Sequence, residues 1–312
     1  MSEHLNPFRI AAAQATPVFL DKKATVDKAC DLIARAGRDG AKLVVFPEAF
    51  IPGYPDWIWL VPNSNGAVLN ELYTELVKNS VSIPDESTKQ LCLAAKKASI
   101  FVVIGLNERN TEASNSSLYN TMLFIDDQGS IMGKHRKLIP TGGERLIWAQ
   151  GDGSTLQVFD TPFAKLGGLI CWENYMPLAR NAMYAGGTQI LAAPTWDKSD
   201  NWLQSLKHIA REGGMFVVSC CMALRMKDIP VKYDLKKAYP KGREWINPGN
   251  SCIVNPIGEI FAGPVENEEE IIYADIDLDI VTKAKRMFDV AGHYARPDVF
   301  KFKINRESNS LK

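Results

Sequence analysis

The sequence predicts an α/β fold built on a mixed β-sheet. Short apolar runs rich in Val, Ile, Leu and Ala alternate with longer segments whose apolar residues recur at helical spacing, a pattern typical of layered α/β proteins. Two further stretches, "TMLFIDDQGSIMGKHRK" and "SCIVNPIGEIFAG", place turn residues between apolar runs and predict β-hairpins. Because a hairpin pairs its strands antiparallel, the sheet is expected to be mixed rather than purely parallel.

The strands are predicted where apolar residues form a short run between polar segments. In chain order these runs are Ile10–Gln14, Leu43–Phe46, Phe101–Gly105, Asn120–Asp126, Leu166–Cys171, Gln189–Ala193, Phe216–Cys220, Ser251–Asn255 and Ile271–Asp275. The helices are predicted where the apolar period lengthens to that of a helix. These segments are Lys22–Ala36, Ala67–Asn79, Asp85–Ala98, Pro177–Ala185, Asn201–Gly213 and Leu278–Phe288.

A single domain, 1–312, is expected, with residues 1–7 and 301–312 as loosely held tails. The chain is long enough to bury a sizeable core. It contains no linker rich in Pro, Gly or Ser, no low-complexity tract and no repeat of fixed period, so nothing in it suggests a domain boundary.

Charge and cysteine usage exclude several classes of partner. Lys plus Arg and Asp plus Glu both number 36, so no excess charge predicts binding to nucleic acid or to an anionic membrane. No apolar run approaches the roughly 20 residues that span a bilayer, and the start "MSEHLNPFRI" lacks the features of a secretory signal. A cytoplasmic protein is therefore expected. The six cysteines are scattered, without CxxC or zinc-ligand spacing, so neither a disulfide framework nor a metal site is predicted.

Cys171 ends an apolar run and is followed by "WENYMP". A strand that ends there, before a helix that begins near Pro177, would place the thiol at the carboxyl end of a strand, where α/β sheets bind ligands. Free cysteines are nevertheless among the most buried residue types, so this segment alone slightly favours a structural thiol. A nucleophilic cysteine usually needs a histidine, and none of the four histidines, His4, His135, His208 and His293, is in a setting that marks it as a base.

Two other segments place charged residues after predicted strands. In "AKLVVFPEAF", Glu48 follows a buried strand, a costly position for a carboxylate unless it is paired or functional. In "GKHRKLIPTGGERLIW", Lys137 follows a hairpin and Glu144 comes seven residues later. Taken alone, Lys134, Arg136 and Lys137 are more simply interpreted as a solvated basic face.

Considered together, the three segments resemble the nitrilase superfamily of carbon–nitrogen hydrolases. "VVFPEAFIPGYPDW", "GKHRKLIPTGGERLIWAQGDG" and "GGLICWENYMPLAR" occur in the order of its Glu, Lys, Cys triad. The similarity continues through "ILAAPTW", "HIAREGGMFVVSC", "GNSCIVNPIGEIFAGP" and "FDVAGHYARPDVF", from Phe8 to about Phe300. The resemblance implies a four-layer α-β-β-α sandwich, a homodimer or larger homo-oligomer, and no metal or organic cofactor.

The resemblance also implies a role for each motif residue. Glu48 corresponds to the general base, Lys137 to the cation that stabilises tetrahedral intermediates, and Cys171 to the nucleophile. Glu144 corresponds to a further glutamate that orients the substrate or holds the lysine. His135 belongs to the lysine motif but not to the triad, and a structural role is favoured for it.

The residues after the cysteine distinguish branches of the superfamily. "CWENYMP" resembles nitrilases and cyanide-hydrolysing relatives, which predicts hydrolysis of a small organic nitrile to a carboxylic acid and ammonia through a cysteine thioimidate and thioester. The alternatives are an amidase or cyanide-hydrolysing enzyme with the same triad and, more distantly, a non-catalytic scaffold that self-assembles.

The pocket is predicted from aromatic residues near these motifs. Tyr54 and Trp57 follow Glu48 closely, Trp172 follows the nucleophile, and Trp196 ends the next strand. Aromatic side chains at such positions belong to the core more often than to a substrate pocket, so a structural role is slightly favoured for each. The backbone N–H of Trp172 is expected to be a second donor to the developing charge.

Overall fold

A computed structural model describes residues 7–233 and 235–308. Within them the α-helices are α1 (Lys22–Arg38), α2 (Gly66–Lys78), α3 (Glu86–Ala98), α4 (Pro177–Ala185), α5 (Asp200–Gly213) and α6 (Asp279–Lys285). The strands are β1 (Phe8–Gln14), β2 (Ala41–Val45), β3 (Phe101–Arg109), β4 (Leu118–Ile125), β5 (Ile131–Arg136), β6 (Val158–Asp160), β7 (Lys165–Gly168), β8 (Ile190–Thr195), β9 (Phe216–Cys221), β10 (Ala223–Arg225), β11 (Trp245–Val254), β12 (Ile260–Glu266) and β13 (Glu270–Ile276).

Capping side chains determine where three of the helices begin. Asp21, Asp85 and Ser199 each accept a hydrogen bond from a backbone N–H in the first turn of α1, α3 and α5, respectively. These N–H groups have no partner inside the helix, so each cap stabilises the start that the sequence predicts.

The strands form two mixed sheets. The first has the order β13-β1-β2-β3-β4-β5, and the second has the order β10-β11-β9-β8-β7-β6, with β12 paired to β11. Parallel pairing joins β1 to β2, β2 to β3, β7 to β8 and β8 to β9. The two predicted hairpins are present as the antiparallel pairs β4–β5 and β11–β12, which confirms the mixed character of the sheets.

The two sheets pack against each other between two layers of helices. Alternate residues of β1 point in opposite directions: Ile10 and Ala12 join the core between the sheets, whereas Ala11 and Ala13 join the core that includes residues of α1 and α3. A third core lies between the second sheet and helices α4 and α5. The layer order is therefore α-β-β-α, and the expected four-layer sandwich is confirmed.

Two predicted elements end earlier than expected. The predicted strand Leu166–Cys171 stops at Gly168. The Leu169 N–H still donates to Ala192 O at 3.0 Å and Ile170 is still extended, but Cys171, with a φ of 51°, cannot continue a strand. The predicted helix Leu278–Phe288 covers only α6. Beyond α6, the side chain of Asp289 accepts hydrogen bonds from the backbone of Gly292 and its neighbour, and such local bonds favour a turn over a helix.

The predicted tails are only partly described. Residues 1–6 and 309–312 lie outside the described residues. Residues 301–308 contact the body of the protein, since Ile304 packs against the third core and Arg306 Nη1 donates to Leu156 O at 2.6 Å. Within the described ranges, none of the helices combines the length and apolar character needed to cross a bilayer.

Candidate active site

Glu48 lies just beyond β2, in a segment that runs along β3. The backbone N–H of Ile51 donates to Gly105 O at 3.2 Å. Gly105 permits this close approach because a Cβ at that position would lie 2.2 Å from Pro47 O. The segment therefore carries the Glu48 side chain into the interior, where the residue is only 1% exposed.

Lys137 directly follows β5 and joins two carboxylates. Its Nζ donates to Glu48 Oε1 at 2.7 Å and to Glu144 Oε2 at 2.8 Å. Asn120 supports both partners of the first pair, because its carbonyl accepts from the Lys137 N–H at 2.8 Å and its Nδ2 donates to Glu48 Oε1 at 2.7 Å. The side chains of Glu48 and Lys137 are fully buried, so the pair exchanges few hydrogen bonds with water.

Glu144 is fixed by donors on both of its oxygens. It lies in a short 3-10 turn, Gly142–Leu146, and its Oε2 also accepts from the backbone N–H of Thr141 at 2.7 Å. The hydroxyl of Tyr54 donates to Oε1 at 2.6 Å. This carboxylate thus links the lysine to an aromatic wall residue, which the resemblance did not imply.

Cys171 begins a 3-10 turn, Cys171–Tyr175, that follows β7. Its Sγ accepts a hydrogen bond from Thr195 Oγ1 at 3.2 Å, and Thr195 is the last residue of the neighbouring parallel strand β8. The thiol therefore lies at the carboxyl ends of parallel strands, the usual ligand-binding edge of an α/β sheet.

The environment of the site raises the pKa of both the Cys171 thiol and the Glu48 carboxyl group. Burial raises the pKa of Cys171 well above its ordinary value, the charge of Glu48 raises it further, and Lys137 counteracts both. Burial also raises the pKa of Glu48, although Lys137 opposes this shift. For Lys137, burial lowers the pKa but Glu48, Cys171 and Glu144 outweigh it, so the net shift is upward and the ammonium is retained.

A cavity of about 450 Å³ opens over Cys171. Cys171 and Glu144 contribute polar atoms to it, and its aromatic walls are Tyr54, Trp59, Trp172 and Trp196. Tyr54 and Trp196 stack with their ring centroids 4.6 Å apart, while Trp172 Nε1 donates to Asp197 Oδ2 at 2.9 Å. Three of the four predicted wall residues therefore line this cavity.

Trp57 is placed differently from its prediction as a wall. It is 1% exposed and belongs to the core that includes residues of α1 and α3, whereas Trp59 lines the cavity. Both lie on the 3-10 helix Asp56–Trp59, on which residues two apart face different directions. The run "GYPDWIWL" contains both tryptophans, but its spacing alone does not indicate which one faces the cavity.

Two further polar residues at the site were not predicted. Asn120 contacts Glu48, and Thr195 contacts Cys171. Asn120 begins one predicted strand and Thr195 follows another, so a polar residue at the boundary of a strand was the available signal. His135 does not join the triad; its ring instead contacts Glu173.

In the described part of the chain, no group of three or more His, Cys, Asp or Glu side chains is arranged to hold a metal ion. The polar groups at the site are instead suited to proton transfer and to stabilising a negative charge next to a thiol.

Comparison with known proteins identifies close relatives. The chain is 41% identical over 317 residues to the aliphatic nitrilase of Sinorhizobium fredii (strain HH103), with 98% of each chain covered. It is 44% identical over 299 residues to a bifunctional nitrilase/nitrile hydratase of Nicotiana tabacum, with 93% of this chain and 84% of the relative covered.

Solved structures share the fold. Nit3 of Saccharomyces cerevisiae, a member of branch 10 of the nitrilase superfamily, superposes with a TM-score of 0.73 at 22% identity, covering 95% of this chain and 99% of that one. The model of the carbon-nitrogen hydrolase family matches residues 9–286. From this match and from relatives above 40% identity, the chain belongs to the carbon–nitrogen hydrolase family and, within it, to the nitrilases.

Proposed function

We propose that the protein hydrolyses a small organic nitrile to the corresponding carboxylic acid and ammonia, with Cys171 as nucleophile, Glu48 as general base and acid, and Lys137 as the stabilising cation. The observation that carries the proposal is the buried array in which Lys137 binds Glu48 and Glu144, while Cys171 and Glu144 face the same largely aromatic cavity.

The first step is addition of the thiol to the nitrile carbon. Glu48 takes the proton of Cys171, the sulfur bonds to the carbon, and the nitrogen gains that proton to give a thioimidate. Glu48 Oε1 is bound by Lys137 and Asn120, whereas Oε2 has no hydrogen-bond partner among the described residues. This leaves Oε2 as the oxygen that carries the proton.

The thioimidate is then hydrolysed in two stages. Water activated by Glu48 adds to its carbon, and the nitrogen leaves as ammonia, which produces a thioester. A second water releases the carboxylic acid and restores the thiol. Lys137, held as an ammonium by two carboxylates, stabilises the charge on each tetrahedral intermediate, and the backbone N–H of Trp172 is the expected second donor.

The cavity supports an apolar substituent on the nitrile. Tyr54, Trp59, Trp172 and Trp196 provide mainly apolar walls, and a volume of about 450 Å³ is within the range of small-molecule sites. We therefore propose aliphatic or arylaliphatic nitriles as substrates. A homodimer or larger homo-oligomer and a cytoplasmic location, both expected from the sequence, remain part of the proposal.

The proposal is tested by offering matched nitriles, amides and cyanide to the purified protein and by measuring ammonia, acid and amide. We expect turnover of nitriles to acid, and a loss of about 10³-fold or more in Cys171→Ala. Cys252→Ala is the matched control, because Cys252 is fully buried in the third core, away from the cavity. A strong preference for amides or cyanide would support the alternative hydrolases, and unchanged ammonia release by Cys171→Ala would contradict the mechanism.

A further inference from the structure

Glu173 lies two residues after the nucleophile and accepts hydrogen bonds from three groups. The backbone N–H of Leu138 donates to its Oε1 at 2.6 Å, and the backbone N–H of Ile170 donates to its Oε2 at 2.6 Å. Nε2 of His135 lies 3.1 Å and 3.0 Å from the two oxygens. The carboxylate is 1% exposed, so this arrangement is part of the interior.

The backbone groups that Glu173 holds are neighbours of two proposed catalytic residues. Leu138 directly follows Lys137, and Ile170 directly precedes Cys171. Lys137 follows β5 of the first sheet, whereas Cys171 follows β7 of the second. One carboxylate therefore connects the lysine side of the site to the nucleophile side.

The position of His135 indicates that it is a cation. Its Nδ1 lies 3.2 Å from Thr155 O and 3.4 Å from Thr155 Oγ1, and its Nε2 contacts the Glu173 carboxylate. The nearer partner of Nδ1 and the partner of Nε2 both accept hydrogen bonds, which favours a proton on each ring nitrogen. In agreement, although burial lowers the pKa of His135, Glu173 outweighs it and the net shift is upward. The His135–Glu173 pair is thus a buried imidazolium and carboxylate.

The hydrogen bonds described for the triad do not provide this connection. Lys137 donates to Glu48, Glu144 and the carbonyl of Asn120, and its own carbonyl accepts from the Gly151 N–H at 2.9 Å. Cys171 Sγ accepts from Thr195. The first set of hydrogen bonds positions Lys137 on the side of the first sheet, and the second positions Cys171 on the side of the second sheet. The distance between the ammonium and the sulfur then depends on contacts that join these two sides, and Glu173 supplies two of them at backbone atoms.

We propose that Glu173, oriented by His135, is a positioning residue that fixes Cys171 relative to Lys137. The proposal rests on the nitrile hydrolysis proposed above. Misplacement of a reacting group by about 1 Å can cost on the order of 100-fold in rate, so a small shift of the turn that carries Cys171 would lower kcat more than it changes KM.

Glu173→Gln is the main test. The amide group places an N–H₂ where one carboxylate oxygen accepts, opposite a backbone donor, so that contact is lost while the size of the side chain is kept. We expect kcat for nitrile hydrolysis to fall at least about tenfold with KM within about threefold. The alkylation rate of Cys171 by iodoacetamide, followed by peptide mass spectrometry, should fall at least about fivefold.

Glu108→Gln is the matched control. Glu108 is also a buried carboxylate with several donors, and it binds Lys134 and Arg136 on the same strand β5. It contacts neither Leu138 nor Ile170 through the hydrogen bonds described. If Glu173→Gln loses no more kcat and no more alkylation rate than Glu108→Gln at a comparable melting temperature, the positioning role is wrong.

A second pair of variants addresses the case in which Glu173→Gln does not fold. His135→Gln is long enough to keep a donor to Glu173, whereas His135→Asn reaches only toward Thr155 O. The proposal predicts that His135→Asn loses at least about threefold more kcat than His135→Gln; equal losses would overturn it. If the wild-type protein hydrolyses no nitrile, the proposed function fails, but the alkylation rates of these variants still test the positioning role.

Discussion

Glu48 and Lys137 form an ion pair that is fully shielded from solvent, with Nζ 2.7 Å from Oε1. Desolvation of the two charges opposes their attraction, and for Glu48 burial dominates, so that its pKa is raised. A carboxyl group whose folded pKa is raised contributes stability below its unfolded pKa, and that contribution is lost as the pH rises through the folded pKa. The Glu48 carboxylate is therefore expected to lower stability at a pH where the proposed mechanism uses it, whereas Lys137, whose pKa is raised, contributes stability at the same pH.

Glu48→Gln should be inactive yet at least as stable as the wild type at pH 8. Its Oε1 keeps the donors Lys137 and Asn120, and Lys137 keeps Glu144 as counter-ion. We expect loss of proton transfer to lower kcat about 10³-fold. The melting temperature should match the wild type near pH 4 and exceed it increasingly as the pH rises toward 8, because the raised pKa of Glu48 disfavours its ionised form in the folded protein. A variant that becomes relatively less stable as the pH rises would contradict this sign.

Tyr54→Phe isolates the hydroxyl that holds Glu144. The variant loses the 2.6 Å hydrogen bond to Glu144 Oε1 and the 3.2 Å hydrogen bond that the hydroxyl accepts from Trp59 Nε1, but keeps the ring that stacks on Trp196. Since a hydrogen bond to a charged group is worth about 1.5–3 kcal/mol, we expect kcat to fall about tenfold with little change in KM. Tyr73→Phe, which removes a hydroxyl bond to Ser116 O at the surface, is the control and should retain full activity. Equal kcat and KM values for Tyr54→Phe and Tyr73→Phe would show that the Tyr54 hydroxyl does not contribute to activity.

Trp59→Ala should change the preference for substrate size. Trp59 is 48% exposed and its ring lies against Gly142 and Gly143, where an added Cβ would lie 2.8 Å and 3.2 Å from ring carbons. Removing the indole enlarges the cavity, so the ratio of kcat/KM for a bulky arylaliphatic nitrile to that for a small aliphatic one should rise about tenfold. Leu146→Ala, at a residue that is 62% exposed, should leave the ratio unchanged. An unaltered ratio in Trp59→Ala would show that other walls limit substrate size.

Asp56 gives a second pH-dependent contribution to stability. Burial raises its pKa to about 6, although a hydrogen bond from Tyr239 at 2.7 Å opposes the shift. Its stabilising contribution is therefore lost as the pH rises through about 6. Asp56→Asn should equal the wild type at pH 4 and be more stable by about 2 kcal/mol at pH 8.

Tyr239→Phe provides the opposite control for Asp56. It removes the donor, which leaves the carboxylate without that partner and should lower stability at pH 8. Chemical denaturation at several pH values measures both variants. Parallel stability curves for Asp56→Asn and the wild type between pH 4 and pH 8 would show that Asp56 does not titrate in this range.

The sequence predicted the architecture better than the details of the pocket. Strand and helix periods, with two hairpin turns, were sufficient for a layered mixed sheet. The expectation that Glu48, Lys137 and Cys171 act together came from the resemblance of their three motifs to the nitrilase superfamily. Cys171 lies at the end of the sheet with a left-handed φ of 51°. A pattern of apolar residues does not predict such a backbone conformation. That conformation excludes Cys171 from the strand, which itself ends at Gly168.

Contacts between distant segments were the least predictable. Trp57 and Trp59 are equivalent in sequence but differ in direction by the geometry of one 3-10 helix. His135 and Glu173 are 38 residues apart and meet only because the packing of the two sheets brings β5 next to the turn Cys171–Tyr175. His135 belongs to the motif that contains Lys137, and Glu173 belongs to the motif that contains Cys171. Their pairing is therefore evident only in the three-dimensional structure.

Gly105 limits what can be changed when such an enzyme is redesigned. A side chain at this position would meet Pro47 O at 2.2 Å and Ala49 N at 2.6 Å, so even alanine would displace the backbone on both sides of Glu48. Libraries that randomise residues around the pocket should therefore keep glycine at position 105, although it has no functional group and contributes nothing to the cavity wall. The position of Glu48, the proposed general base, therefore depends on the lack of a side chain at Gly105 of β3.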